Sequence, residues 1–429
     1  MTKRMIIKAG NLDTTFGKGG KKKLKFNFGS AYHANSLTLA SEGRIFIAGD
    51  VEQPSGDDLQ QNFAITCLNQ KGEPYLPFNN GYMADRFNPD DARLASACQR
   101  IFITGSKVVL AGVFTNDRPT DVPAFARLNM NGRYDEPFGR GGRYVYKLPC
   151  DPSSSVGASP TSIDRQSTGH FVFAFEHVWH DLVTPHALNS TAVLARISQD
   201  AKLDNNFARG NGHLTIKPAP GHNFRKKGLI IQNDDRILVF GELSGESSDA
   251  VIYRFTADGE IDPSFGREGE LRKPDWNITS IVALPGDRLL CAGSRGDQAL
   301  LARLEADGSD DTFRSEVKIH DRCAWLKALQ QPDNTTLVVG YAEKNLNVVP
   351  LLARFLDNAE LDPNFGEGQG WVSDGMGNML ERAIDLAVDD IGRILVLGKS
   401  QGLSPYADFF LLRYQGSNAK ERSMTTISP

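Results

Sequence analysis

The chain reads as an all-β, seven-bladed propeller of four-stranded antiparallel blades, and three observations predict it. A phenylalanine-centred turn recurs seven times, at Phe16, Phe78, Phe138, Phe207, Phe265, Phe313 and Phe365. The same order of short strands leads into each turn. The spacing runs from 48 residues (Phe265 to Phe313) to 69 (Phe138 to Phe207), so one unit fills the interval and leaves no room for a second domain. A period of this size marks a repeat architecture in which neighbours bury one another. It outranks length, which alone would divide a chain of 429 residues into more than one domain.

Each unit begins with a hairpin. Ile278-Thr279-Ser280-Ile281-Val282-Ala283-Leu284 meets the polar turn Pro285-Gly286-Asp287, and the chain re-enters as Arg288-Leu289-Leu290-Cys291-Ala292-Gly293. The second run recurs as Ile45-Phe46-Ile47-Ala48-Gly49, Val108-Val109-Leu110-Ala111-Gly112, Phe171-Val172-Phe173-Ala174, Ile237-Leu238-Val239-Phe240-Gly241, Leu337-Val338-Val339-Gly340 and Ile394-Leu395-Val396-Leu397-Gly398. Short continuous apolar runs of this kind are strands buried on both faces.

A third strand alternates, as Ala126-Arg127-Leu128, Ala195-Arg196-Ile197, Tyr253-Arg254-Phe255, Ala302-Arg303-Leu304, Ala353-Arg354-Phe355 and Leu412-Arg413-Tyr414, with Ile65-Thr66-Cys67 as the first copy. The turn and a more polar fourth strand complete the blade. Radial stacking of blades leaves only short edges. The N-terminus starts with a turn and the C-terminus ends without one, so the two ends are expected to share a blade. The stretch Lys23-Leu24-Lys25-Phe26 is then an outer strand laid on three strands within 381–414. The expected blades are 29–88, 89–148, 149–217, 218–273, 274–319, 320–373, and 374–414 with 12–28. A polar tail, 415–429, follows.

The turn chemistry has physical reasons. Glycine permits positive φ, phenylalanine supplies apolar area between blades, and the strand arginine with the turn aspartate, such as Arg254 with Asp262, makes a charge-assisted anchor. The run Asp258-Gly259-Glu260-Ile261-Asp262-Pro263-Ser264-Phe265-Gly266 and the following hairpin resemble the bacterial delta-60 repeat, which belongs with the β-propellers. That resemblance covers almost the whole chain and implies a fold, with no common activity. Two copies depart from it: Pro74-Tyr75 replaces the Leu-Asp pair before Phe78, and the turn from Gly308 to Phe313 is one residue short.

A net charge of −4 provides no basic field for nucleic acid. Lys21-Lys22-Lys23 reads as a solvated strand edge, where lysines discourage edge pairing. No apolar stretch reaches a membrane span, and the first residues are too brief for a signal peptide. The expectation is a cytoplasmic protein, or one exported without a recognisable signal peptide, with no membrane insertion. Cys67, Cys98, Cys150, Cys291 and Cys323 are odd in number and dispersed, which argues against a disulfide framework and against paired zinc ligands.

Function is then expected in the departures from the repeat. Connections between second and third strands vary, as do those between units, such as Pro149-Cys150-Asp151-Pro152-Ser153-Ser154-Ser155. Strand alternation brings both variable classes to one end, the expected binding face. The insertion at 176–191 is the most unusual. His177, Trp179, His180, Asp181 and His186 are its candidate ligand-binding residues, with imidazoles and a carboxylate suited to a divalent metal and a tryptophan suited to stacking. Spacing of three unites His177 and His180 only on a helical turn, because an extended segment sends them to opposite sides. No other cofactor is expected.

The acidic loops lack calcium-loop spacing, and no nucleophile elbow, phosphate loop or dinucleotide fingerprint occurs in a fitting context. The favoured reading is a non-enzymatic module recognising a protein or glycan through the variable face. The alternative is a hydrolase or lyase, metal-assisted or not, with acids and histidines gathered at the mouth of a central channel.

Overall fold

In a computed structural model the described residues are 8–24, 26, 31–55, 58–90, 95–115, 121–147, 155–156, 160–180, 188–219, 221–244, 249–401 and 407–416. Among them the chain is strands and single 3-10 turns, with no α-helix. β1 (Lys21–Lys23) comes first in the chain. The first sheet is β2 (Ala31–Ala40), β3 (Arg44–Ser55), β4 (Asp58–Leu68) and β5 (Tyr82–Asp85), and the second is β6 (Ser96–Thr104), β7 (Lys107–Thr115), β8 (Asp121–Asn129) and β9 (Arg143–Val145). The third holds β10 (Ser155–Val156), β11 (Ser162–Arg165), β12 (Phe171–His180), β13 (Leu188–Ile197) and β14 (His213–Thr215). The fourth is β15 (Asn223–Ile231), β16 (Ile237–Ser244), β17 (Asp249–Phe255) and β18 (Glu270–Lys273), and the fifth is β19 (Trp276–Ala283), β20 (Leu289–Arg295), β21 (Gln298–Leu304) and β22 (Asp310–Val317).

The remaining strands form one mixed, eight-stranded sheet. It contains β23 (Arg322–Gln330), β24 (Thr336–Lys344), β25 (Asn347–Phe355), β26 (Trp371–Val372), β27 (Leu380–Val388), β28 (Ile394–Gln401) and β29 (Ala407–Tyr414), with β1 at its edge. A single parallel pair, Val348 with Leu380, joins its two halves. β1 runs antiparallel to β29, with Lys21 opposite Leu412 and Lys23 opposite Phe410. Buried apolar residues cluster between sheets: one group unites Phe46 and Phe78 with Leu110 and Val122, and another unites Phe16 and Ile45 with Leu395 and Leu411.

The first strands are bulged. Register slips by one residue at Asn35, Gln99, Lys227, Thr279, Leu326 and Ile384. The bulge presses a backbone carbonyl against the neighbouring strand, which explains the repeat's glycine. At Gly112 a Cβ would stand 2.0 Å from the Ala97 carbonyl oxygen, and at Gly293 one would stand 1.9 Å from that of Asn277. In the third sheet the first strand is divided into β10 and β11, and Phe175 replaces the glycine. Bulged residues also bridge sheets: the Asn35 amide donates to Cys98 O (2.8 Å), and Thr279 Oγ1 donates to Trp325 O (2.7 Å).

The expected arginine–aspartate anchor forms. Nε of Arg127, Arg196, Arg254, Arg354 and Arg413 lies 2.6, 2.7, 2.8, 2.7 and 2.9 Å from Asp135, Asp204, Asp262, Asp362 and Asp13. Each guanidinium also covers the ring of its repeat phenylalanine, as Arg254 covers Phe265 at 4.6 Å. Their Nη1 atoms donate to carbonyls of another sheet's turn: Arg127 to Gln199, Arg196 to Ala257 and Arg413 to Gln70. One anchor therefore joins strand, turn and neighbour.

The two departures have visible consequences. Cys67, not Thr66, stands at the arginine's place, since Cys67 opposes Phe46 as Arg127 opposes Val109. With Tyr75 at the aspartate's place, both charges are missing together, which avoids a buried ion without its partner. The shortened turn stretches Arg303–Asp311 to 3.6 Å, and Arg303 instead reaches Asp357 at 2.6 Å.

Candidate functional site

On the first strands, the residue just past the slip is fixed by pairing: Ser36, Arg100, Gly228, Ser280, Lys327 and Asp385 oppose Ala48, Ala111, Phe240, Ala292, Val339 and Leu397. Ser162, opposite Ala174, is the third sheet's counterpart. A cavity of about 470 Å³ opens among these strands, lined by Ser36, Arg100, Asp164, Leu229, Lys327 and Asp385 with their neighbours. Six first strands contribute to it, so three cationic residues, Arg100, Arg165 and Lys327, and two carboxylates from distant parts of the chain line one space.

The carboxylates are engaged by backbone. Asp164 accepts N–H groups from Ile231 (3.0 Å) and Arg165 (2.8 Å), and Asp385 accepts from Leu37 (2.8 Å) and Leu386 (3.0 Å). Burial raises the Asp164 pKa against the opposing pull of those N–H groups and of Arg100 and Lys327. The Lys327 ammonium is pushed down to about 8, chiefly by the like charge of Arg100 and then by burial, with Asp385 and Asp164 opposing. Among the described residues neither Arg100 nor Lys327 has an ion pair or a side-chain hydrogen bond.

Where β2 enters from the variable end, His33 Nδ1 lies 2.8 Å from Asp50 Oδ2, and Asp50 also accepts from the Gln61 amide at 2.8 Å. Its hydrogen bond to Asp50 raises the half-exposed imidazole's pKa, with burial opposing. At the same end, the β24–β25 turn places Asn345 and Leu346 at φ 49° and 67°. Such a turn favours asparagine followed by glycine, yet here the second residue is a leucine, 95% exposed. Met376, Met379 and Leu380 are also exposed, and Val348 N–H donates to Met379 O at 2.8 Å, which places them beside that turn.

Of the expected ligand-binding residues, His177, Trp179 and His180 lie on β12 within an extended ladder, where His177 opposes Thr191 and His180 opposes Leu188. The two histidines stand three apart on an extended strand and not on a helical turn. The His177 ring stacks on Trp179 (centroids 5.2 Å apart), and burial lowers its pKa. Asp181, His186 and Cys150 lie outside the described residues, as do the tail from 417 and most of the 149–155 connection. Among the described residues, no three of histidine, cysteine, aspartate and glutamate group as a metal site, and no helix is long and apolar enough to cross a membrane. Cys67, Cys98, Cys291 and Cys323 are free and buried. The sequence reading missed the cavity charges. Aligning first strands at their bulges would have exposed them, as charged residues where other copies carry serine or glycine.

A family model described as "Domain of unknown function (DUF5122) beta-propeller" matches residues 106–138 and 232–265, supporting a β-propeller family. No curated protein sequence matches. Similar solved structures include the polysaccharide lyase Uly1 (9% identity, TM-score 0.48, 96% of this chain and 97% of that one) and Drosophila Semaphorin 2a (8%, 0.46, 96% and 76%). A protein of unknown function from Dyadobacter fermentans is another (14%, 0.42, 92% and 99%). None at this level bears on activity.

Proposed function

We propose that the chain is a seven-bladed propeller acting as a non-enzymatic binding module, which recognises a partner protein through its variable end. The eight-stranded sheet is read as two blades touching at Val348 and Leu380, the last closed by β1, with blade limits as the repeat sets them. Leu346 carries the functional reading. A leucine in a left-handed turn costs about 1–2 kcal/mol, and its exposure gains nothing for folding. Strained, exposed positions of this kind point to function. Met376, Met379 and Leu380 extend the apolar patch with adaptable side chains suited to a protein surface. A protein fits better than a glycan because the Trp179 ring is already stacked on His177.

The test compares immobilised wild type with Leu346→Gly/Met379→Ser as bait for proteins of the native host. Wild type retains a partner that the variant loses, while Leu346→Gly alone raises stability in urea by about 1 kcal/mol. Equal capture by both baits rules the patch out. One observation favours a second reading, a hydrolase or lyase: the His33–Asp50 pair at the variable end has the form of an oriented general base. Activity against ester or glycoside panels that His33→Gln abolishes would favour it over the binding module.

A further inference from the structure

We infer that the cavity among the first strands binds a small oxyanion, the carboxylate or phosphate group of a low-molecular-weight ligand, between the Arg100 guanidinium and the Lys327 ammonium. The two cations stand on β6 and β23, in sheets that are not sequence neighbours, and converge on one cavity of about 470 Å³, within the size range of small-molecule sites. Hydrogen-bonding capacity is uneven there. Asp164 and Asp385 each already accept two backbone N–H groups, whereas the guanidinium and ammonium donors are unspent among the described residues. An arginine and a lysine together offer eight N–H donors, twice the roughly four acceptor sites of a carboxylate. The aspartates offset net charge, so the cations stay charged without a ligand, but they do not satisfy those donors. Thr38, Thr104 and Ser36 add hydroxyl groups to the wall.

Like charge explains why an anion is the occupant. Arg100 is the largest influence lowering the Lys327 pKa, so the two cations repel, and an oxyanion between them converts repulsion into two charge-assisted contacts. A cation would meet carboxylates that already share their lone pairs with backbone N–H groups, and the positive groups of Arg100, Lys327 and Arg165 besides. The inference is independent of the partner-binding patch, which lies at the variable end.

Isothermal titration at fixed ionic strength in chloride, with inorganic phosphate and succinate as separate probes, tests it. Wild type is expected to bind at least one probe at a single saturable site. Lys327→Met and Arg100→Met are each expected to weaken that binding about tenfold or more, equivalent to about 1.4 kcal/mol, with Arg100→Lys in between and Lys399→Met, on β28 outside the cavity lining, unchanged. Binding of phosphate alone assigns a phosphate ligand; binding of succinate alone assigns a carboxylate. Wild-type crystals soaked in selenate give a reading that needs no variant, an anomalous peak between Arg100 and Lys327. No saturable binding of either probe together with no such peak overturns the inference, as does binding that the two methionine variants leave unchanged.

Discussion

At the turn end, five arginines meet five aspartates within 2.9 Å and repeat the arrangement from sheet to sheet. On the first strands, the equivalent positions hold three serines, Ser36, Ser162 and Ser280, but also Gly228 and the charged Arg100, Lys327 and Asp385. The turn layer stays uniform because each of its members holds a neighbour in place. The first-strand positions vary because only some of them tie sheets together, as Asp385 does through the Leu37 N–H and Ser280 through the Ala328 N–H, while Arg100 and Lys327 line the cavity. The charges also differ in sign of effect. For Asp13 burial pushes upward, but the Thr15 hydrogen bonds and the Arg413 and Arg393 charges outweigh it and lower the pKa, so the Asp13 charge stabilises the fold, although burial lowers the pKa of its partner Arg413. Lys327 is lowered by a like charge and by burial, so its charged form opposes folding.

The largest expected effect breaks a turn anchor. Arg413→Met leaves Asp13 buried without its ion and is expected to cost about 3–5 kcal/mol in urea unfolding. Combining Arg413→Cys with Asp13→Tyr, the residues present in the first copy, is expected to recover most of it. A double variant as unstable as the single would show that the two positions do not act as a unit.

Next is Gly112→Ala, which drives a Cβ toward the Ala97 carbonyl oxygen and is expected to cost about 1–3 kcal/mol, measured by thermal unfolding. Lys327→Met goes the other way, with a gain on the order of 1–3 kcal/mol at pH 7. Its folded pKa, about 8, lies below the ordinary lysine value of 10.5, so the unfolded chain binds more protons between these pH values. Wild-type stability therefore rises with pH across that window, and the gap to the variant should close by about pH 10.5. A gap that widens there would remove the contrast between the two layers. The smallest expected effect is Ser280→Ala, where loss of the Oγ acceptor of the Ala328 N–H at 3.3 Å costs about 1 kcal/mol, read from urea midpoints.

The repeat made much of this legible. Phe265, Gly259, Arg254 and Asp262 recur at fixed offsets, so their partnership could be read before any coordinates, and the second strands follow from their apolar runs. Cys67 was misplaced by one residue because alternation in so short a segment does not fix register, whereas ladder pairing does. Arg100, Asp164, Lys327 and Asp385 were illegible for a different reason. Each looks like an ordinary charge within its own strand, and only the bulge register and the meeting of six strands bring them together. Leu346 was hidden in a turn, where a single apolar residue carries no sequence signal and only its φ and exposure distinguish it.

The bond between Arg413 and Asp13 spans 400 positions, and that span constrains how the protein emerges from the ribosome. At about 5–20 residues per second, roughly 20–80 seconds pass between synthesis of the first partner and arrival of the second. Throughout that interval the strand at Lys21–Lys23 has no β29 to pair with, so its backbone N–H and C=O groups go without their ladder partners until Phe410–Leu412 have been made.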